Sequence, residues 1–165
     1  MYEIVRRCLI MQRIANLLAI KDQQVLLLQK PRRGWYVAPG GKMENGESIY
    51  EAATREFFEE TNLTAKDAHL KGTYTMVIKD GDDVIDEWML YTFVAYDIEG
   101  EPFTETREGT LAWHPIQDLN ELPMAEGDRT NLYFAATQEG MQYGTFEYTE
   151  AFDLLSERIQ LSKEK

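Results

Sequence analysis

The stretch APGGKMENGESIYEAATREFFEETNL, residues 38 to 63, decides the fold of this 165-residue chain. A glycine pair, Gly40 and Gly41, lies near its start, and a single arginine, Arg55, lies within it. Six glutamates share the segment with that arginine: Glu44, Glu47, Glu51, Glu56, Glu59 and Glu60. Like charges one turn apart destabilise a helix by roughly 0.2–0.5 kcal/mol per pair, so this density of carboxylates needs a physical explanation.

Capping signals predict a helix in the middle of the stretch. Ser48, with Glu51 three residues later, forms a capping-box pair, so we expect the helix to begin at Ser48. Asn62 readily adopts the left-handed conformation that terminates helices, so we expect the helix to end there. One face of this helix is apolar and suits a core; it carries Tyr50, Ala53 and Phe57, with Thr54 and Phe58 at its edge.

The opposite face of the predicted helix is acidic. Counted from Arg55 at about 100° per residue, three glutamates fall near 40°, 100° and 140° on one stripe: Glu59, Glu56 and Glu60. Arg55 can reach Glu51 or Glu59, each four residues away. A merely solvated face would intersperse lysines among its acids, whereas a hard divalent cation such as Mg²⁺ takes oxygen ligands and converts the repulsion into ligation.

The glycine pair supplies a second feature of such a site. Gly40 and Gly41 allow a tight turn and a close approach of the backbone to a ligand, with a carbonyl oxygen directed at the same ion. The sequence therefore favours a metal site built from the loop and the acidic face of the helix.

Composition limits the class of protein. An apolar share of 44% and an aromatic share of 12% indicate a globular chain, and its length suits one domain, residues 1–165. The formal net charge of −12 argues against stable binding to nucleic acid, but it permits an anionic substrate where a metal neutralises the site. One cysteine, Cys8, fits a reducing compartment, so we expect a cytoplasmic protein. The start, residues 1–20, is interpreted as a buried strand, and we expect no membrane segment.

The rest of the chain alternates strands with a few helices. The predicted strands are residues 14–20 and 25–30 as a hairpin, 35–38, two strands around Asp80-Gly81 within 73–96, 110–116 and 143–148. The predicted helices are 117–122, 127–140 with Asp128 as N-cap, and 151–161, followed by a frayed tail. This order of elements indicates a mixed α+β fold.

The quoted stretch resembles the signature of the Nudix hydrolases, G-x5-E-x7-R-E-U-x-E-E-x-G-U, where U is a bulky apolar residue. The positions filled here are Gly41, Glu47, Arg55, Glu56, Phe57, Glu59, Glu60 and Leu63. Asn62 stands where the family has glycine, and asparagine is the next-best residue for that left-handed position.

The resemblance implies a mixed β-sheet sandwiched between α-helices (α/β/α), with residues 41–63 as loop, helix and loop. It implies metal-dependent hydrolysis of a nucleoside diphosphate linked to another moiety, with Mg²⁺, or Mn²⁺, as cofactor. The implied metal ligands are Glu56, Glu59, Glu60 and the Gly40 carbonyl. Arg55 resembles the arginine that orients them, and Glu47 resembles the glutamate that braces the loop by a salt bridge to it. A glutamate outside the box often contributes, either Glu108 or Glu105, although both also suit ordinary loop acids.

Two flanking stretches, LQKPRRGWYVAPGGKMENGES and AWHPIQDLNELPMAEGD, resemble MutT-like oxidised-nucleotide diphosphatases, which release monophosphate and pyrophosphate from 8-oxo-dGTP. Candidate substrate-binding residues are Lys30, Arg32, Arg33, Gly41 and Lys42 for phosphates, Tyr36, Trp35 and Trp113 for stacking, and Asp128 for a purine edge. Each has a plain alternative: solubility for the cations, core packing for the aromatics and helix capping for the aspartate. Val37 offers no hydrogen bond where some members carry a base-reading asparagine.

Other functions fit the sequence less well. A Nudix enzyme acting on a nucleotide sugar, a dinucleotide or a capped RNA end is the main alternative, and the acidic charge disfavours long RNA. A binding module without catalysis would be expected to lose box glutamates, which this chain keeps. His69 and His114 are too far apart in sequence to indicate zinc, and residues 80–87 lack calcium-loop spacing. The sequence does not determine the oligomeric state, which can be a monomer or a homodimer.

Overall fold

The computed structural model describes residues 11–163. In chain order the strands are β1 (Gln12–Lys21), β2 (Gln24–Gln29), β3 (Tyr36–Val37), β4 (Gly40–Lys42), β5 (Thr64–Ala65), β6 (His69–Asp80), β7 (Asp83–Ala95), β8 (Ile98–Glu99), β9 (Glu105–Thr106), β10 (Gly109–Pro115), β11 (Met141–Thr149) and β12 (Leu154–Ser162). The helices are α1 (Ile49–Thr61), a short 3-10 helix (Ile116–Asn120) and α2 (Glu126–Thr137).

Ten of these strands form one mixed sheet. Its path runs β12-β11-β6-β7-β1-β2-β10-β9, with β3 paired to β2 and β4 paired to β1. The pairs β1–β7 and β6–β11 are parallel, and the other pairs of this sheet are antiparallel. The remaining strands, β5 and β8, form a small separate ladder.

Strand β1 shows why helices cover both faces of the sheet. Successive side chains of a strand point to opposite faces. Ala15, Leu17 and Ala19 pack in one cluster with residues of α1, whereas Leu18 and Ile20 pack in another with residues of α2. The expected α+β architecture, a mixed sheet between helices, is confirmed.

The caps of α1 are also as predicted. The Glu51 N–H donates to Ser48 Oγ at 3.1 Å, and Asn62 has a φ of 65° with its N–H donating to the Phe58 carbonyl at 2.8 Å. The two predicted hairpins are present, with Lys21 opposite Gln24 and Asp80 opposite Asp83.

Helix α2 begins differently from the prediction. Its N-cap is Ala125, so the interpretation of Asp128 as the cap is wrong. A hydroxyl from another element replaces the missing cap, because the Gly127 N–H donates to Tyr148 Oη at 2.7 Å. Because the hydroxyl comes from β11, the sequence near the start of α2 gives no sign of this cap.

The predicted terminal helix over residues 151–161 is wrong, since β12 occupies Leu154–Ser162. β12 pairs antiparallel with β11 along most of its length, and this ladder satisfies the backbone that a helix would otherwise satisfy internally. Tertiary pairing here overrides local propensity. The predicted N-terminal strand is present from Gln12 onward, while residues 1–10, with Cys8, and residues 164–165 of the tail lie outside the described part. In the described part, no helix combines the length and apolarity needed to span a membrane.

Candidate active site

Arg55 is the centre of the acidic segment. Its Nε and Nη2 donate to the two carboxylate oxygens of Glu47 at 2.7 and 2.9 Å. Its Nη1 donates to Glu56 at 2.9 Å and to Glu59 at 3.2 Å, and Nη2 also donates to the Lys42 carbonyl at 3.2 Å. The salt bridge predicted between Glu47 and this arginine is therefore present, and one guanidinium holds three glutamates.

These hydrogen bonds shift the pKa values of Glu47 and Arg55 in opposite directions. The hydrogen bond from Arg55, helped by the Glu44 N–H, lowers the pKa of Glu47 to about 2. The same bond to Glu47, followed by the bond to Glu56, raises the pKa of Arg55 above its ordinary value despite partial burial. Both partners stay charged across the physiological range, so the bracing of the loop is permanent.

Glu60 has a different environment. The Gly40 N–H donates to Glu60 Oε2 at 3.0 Å. Burial, with a smaller contribution from nearby Glu56 and Glu108, raises the pKa of this carboxyl to about 7, although the Gly40 hydrogen bond and Lys30 oppose the shift. A carboxyl in this position gains most from a cation placed beside it.

The two glycines are required by close contacts. A Cβ on Gly40 would clash with the Ala15 carbonyl oxygen and would lie 2.6 Å from Asn16 Cα. A Cβ on Gly41 would lie 2.5–2.7 Å from the carboxyl atoms of Glu56. Both glycines belong to strand β4 and neither has a positive φ, so the expected tight turn is wrong. The close approach of this backbone to a ligand stays a prediction.

The carboxylates line a cavity of about 560 Å³, here called the acidic cavity. Its lining comprises Glu56, Glu59, Glu60, Phe103, Glu105, Thr106, Arg107 and Glu108. Glu108 accepts a hydrogen bond from Lys30 Nζ at 2.8 Å, and this bond lowers the pKa of Glu108. The structure thus brings the acid outside the box to the same cavity as the box glutamates, with Glu105 beside it.

The donor set of the acidic cavity suits a divalent cation. Within residues 11–163, no three acidic or histidine side chains converge as a preassembled ligand group. The lining nevertheless offers oxygen donors almost exclusively, which is the preference of Mg²⁺ and Mn²⁺. Glu60 is half-buried with only one recorded hydrogen bond, so its remaining oxygen is available to an ion.

A second concavity, here called the aromatic cleft, adjoins the acidic cavity at Glu60. It consists of two adjoining volumes of about 210 and 450 Å³ that share Lys30, Val37, Ala125, Asp128 and Phe152. The first volume is also lined by Asn16, Gly40, Glu60, Trp88 and Tyr148, and the second by Arg32, Arg33 and Trp35. Burial raises the pKa of Asp128 to about 6, so an acid with a costly charge lies in this cleft.

The predicted substrate residues divide into two groups. Lys30, Arg32, Arg33, Trp35 and Asp128 all line the aromatic cleft. Four others line neither concavity. Tyr36 packs edge-on against His114 at 5.0 Å, and Trp113 packs on the α1 side of the sheet. Gly41 lies in β4, and Lys42 is exposed with its carbonyl bonded to Arg55. The packing of Tyr36 agrees with the alternative interpretation, a core residue, and its stacking on a base stays a prediction.

Sequence reasoning missed several lining residues, namely Asn16, Trp88, Tyr148 and Phe152. They come from β1, β7, β11 and the turn before β12, which are distant in sequence. One local signal was available, because Asn16 is the polar residue inside the apolar run of residues 14–20. In the structure its Oδ1 is buried without a hydrogen-bond partner.

Comparison with known proteins agrees with this geometry. The NUDIX domain family model matches residues 11–133. The chain is 50% identical over 149 residues to YvcI of Bacillus subtilis, an uncharacterized Nudix hydrolase, covering 90% of this chain and 94% of that protein. It is 30% identical over 112 residues to the oxidized purine nucleoside triphosphate hydrolase of Mus musculus, covering 66% and 67%. The crystal structure of a mutator MutT protein from Bacillus halodurans matches with a TM-score of 0.89 and 49% identity, covering 91% and 98%.

Proposed function

The chain belongs to the Nudix hydrolase family, and on that premise we propose that it cleaves a purine deoxynucleoside triphosphate, first an oxidised one such as 8-oxo-dGTP, to the monophosphate and pyrophosphate. One observation carries the proposal: Glu60 lines both the acidic cavity and the aromatic cleft. Phosphates beside the carboxylates would therefore place an attached base in the cleft. The likeness to an oxidized purine nucleoside triphosphate hydrolase supports this choice of substrate.

Divalent ions serve the family generally, and we infer Mg²⁺, or Mn²⁺, for this enzyme. Glu56, Glu59, Glu60 and the Gly40 carbonyl would hold it. When bound, such an ion neutralises phosphate charge and lowers the pKa of a coordinated water. Arg55 keeps Glu56 and Glu59 oriented through its hydrogen bonds.

The carboxylates of the acidic cavity would accept protons, and nearby cations would bind the phosphates. A carboxylate of the acidic cavity accepts the proton of the attacking water. Glu108 is held ionised by Lys30, whose ammonium lies at the junction of cavity and cleft. Lys30, Arg32 and Arg33 supply the positive charge that three phosphates require beyond the metal.

Base recognition falls to the cleft. Asp128 accepts hydrogen bonds from the donor edge of a purine, while Val37 contributes only an apolar contact. An enzyme of nucleotide-pool sanitation is expected in the cytoplasm, with residues 1–165 as one domain.

The metal requirement is the first test. We expect turnover with Mg²⁺ or Mn²⁺ and its loss in excess EDTA, because the carboxylates otherwise repel a polyphosphate. Glu51→Gln, on the exposed side of α1 near its N-terminus, serves as the control that keeps activity. Undiminished turnover in EDTA contradicts the proposed site.

The substrate is tested by comparing kcat/KM for 8-oxo-dGTP, dGTP, ADP-ribose and a nucleotide sugar, with pyrophosphate and orthophosphate release scored separately. We expect 8-oxo-dGTP to be preferred and pyrophosphate to be released. A tenfold preference for a diphosphate-linked sugar, about 1.4 kcal/mol of transition-state discrimination, would exclude the triphosphate assignment and leave the Nudix chemistry standing.

A further inference from the structure

We propose that the β11–β12 hairpin completes the substrate site, and that Phe152 in its turn is the platform on which the base stacks. This hairpin, residues 141–162, lies beyond the residues 11–133 that match the family model. The inference rests on the proposed function for the identity of the substrate. It extends that function by naming a residue that contacts the base.

The backbone of Phe152 is the first observation. Its φ of 65° lies in the left-handed region, which a bulky aromatic residue rarely adopts. The turn holds it there, because the Phe152 N–H donates to the Thr149 carbonyl at 2.9 Å and the Asp153 N–H donates to Thr149 Oγ1 at 3.1 Å. Such strained conformations persist where the surroundings impose them, and they cluster at ligand sites.

The position of the ring is the second observation. The Phe152 centroid lies 6.3 Å from Trp35 at 87°, 6.5 Å from Trp88 at 55° and 5.8 Å from Tyr148 at 52°. The Arg33 guanidinium carbon lies 5.3 Å from the same centroid and 4.9 Å from that of Trp35. Residues from three separate segments, the loop between β2 and β3, β7 and β11, thus meet at the ring of Phe152.

The exposure of Phe152 distinguishes a side chain that can contact a ligand from one that only fills the core. The neighbouring core aromatics Tyr148 and Phe146 are fully buried, at 0% exposure. Phe152 is half-buried and lines both volumes of the aromatic cleft. A turn that only needed to be stable would use glycine at this φ, since glycine adopts it without strain.

The chemistry of the cleft favours a flat heteroaromatic ligand. Aromatic side chains stack bases irrespective of sequence, and an arginine on the same rings adds a cation–π contact. Asp128 lies in the same cleft and provides a hydrogen-bond acceptor for a ring edge. Lys30, also in the cleft, connects it to the carboxylates through Glu108.

Binding is measured without catalysis by titrating dGMP into the full chain in EDTA and following tryptophan fluorescence, since Trp35 and Trp88 both contact the Phe152 cluster. We expect the Kd to rise about tenfold in Phe152→Ala and Phe152→Gly, and to change less than about twofold in Phe152→Tyr, which keeps the ring. Leu155→Ala is the control, because that side chain is 53% exposed on β12 away from the cleft lining, and its Kd should match that of the unaltered chain.

Phe152→Gly also separates binding from folding. Both variants lose the packing of the ring, but glycine accepts the left-handed φ without strain, so the Tm of Phe152→Gly should lie above that of Phe152→Ala while the Kd rises equally in both. An equal Kd in Phe152→Gly and the unaltered chain, or no dGMP binding by the unaltered chain, overturns the proposal. Failure of the proposed function has another signature: dGMP binding that depends on Phe152, with no pyrophosphate released from any triphosphate.

Turnover provides a second readout. With the preferred triphosphate, Phe152→Ala should raise KM about tenfold and change kcat less than about twofold, because stacking acts on the base and not on the scissile bond. A lower kcat at constant KM overturns the assignment of Phe152 to base binding.

Discussion

The acidic cavity and the aromatic cleft are held together by opposite kinds of interaction. Beside the cavity, the Arg55 guanidinium joins two lining residues, Glu56 and Glu59, to Glu47 by hydrogen bonds of 2.7–3.2 Å. In the cleft, rings meet at centroid distances of 5.8–6.5 Å, and Asn16 Oδ1 is buried with no partner. Short charged hydrogen bonds fix the glutamates of the cavity in place, whereas an unpaired polar atom in the cleft leaves a contact for a ligand to make.

This difference assigns separate tasks to the two regions. Substitutions in the acidic cavity should lower kcat, because they remove groups that we propose to bind the metal and activate the attacking water. Substitutions in the aromatic cleft should act mainly on KM and on stability. The predictions below test that division, beginning with the largest effect.

The largest effect is expected for Glu59→Gln and Glu60→Gln. Each should lower kcat at least ~100-fold while the protein stays folded, because each removes a proposed metal ligand. Glu51→Gln should retain nearly full activity, since Glu51 contributes its backbone N–H to the cap and not its carboxylate. Steady-state kinetics with circular dichroism measure this, and equal losses at all three positions would make the acidic face structural.

A smaller effect should distinguish the two adjacent glycines. Gly41→Ala places a Cβ against the Glu56 carboxylate, a flexible group that can move away from Arg55, so kcat should fall about 10-fold with little change in Tm. Gly40→Ala meets backbone atoms of Ala15 and Asn16, which cannot move aside, and should destabilise the fold by about 1–3 kcal/mol.

Denaturant unfolding measures the stability of both variants, and steady-state kinetics measure their kcat. A loss of stability in Gly41→Ala equal to that in Gly40→Ala would show that the carboxylate of Glu56 is as rigid as the backbone. The two substitutions would then fail to separate an effect on kcat from an effect on stability.

Most residues of the acidic cavity could be predicted, because its box glutamates lie close together in the sequence. The caps of α1 and the Arg55–Glu47 salt bridge follow from spacing and from the family resemblance, and the structure contains both. The catalytic and metal-binding roles of these glutamates stay predictions. Glu108 was expected from its position before a strand, and the pairing of β10 with β2 brings it to Lys30.

Much less of the aromatic cleft was predictable, because its lining depends on register and topology. Tyr148 faces the cleft only through the parallel pairing of β11 with β6, and its hydroxyl replaces the cap expected from Asp128. Phe152 lay in a segment predicted to be helical, so its turn and its left-handed φ had no local signal. Long-range strand pairing is the information that one sequence does not reveal by spacing alone.

The smallest effect concerns the charge of Asp128. Burial raises its pKa from the ordinary value of 3.8 to about 6, so between these values the folded state binds more protons than the unfolded state. Stability from this group is complete below pH 3.8 and is lost as pH rises through 6. Asp128→Asn should therefore be more stable than the unaltered chain at pH 7.5, by about 1 kcal/mol, with the difference shrinking toward pH 4. Glu139→Gln, an exposed acid just beyond α2, removes the same charge and should show no such pH dependence. Chemical denaturation across pH 4–8 measures both variants. A stability difference independent of pH would mean that the Asp128 carboxylate is well solvated, and the cleft would then carry no unpaired charge for a base to satisfy.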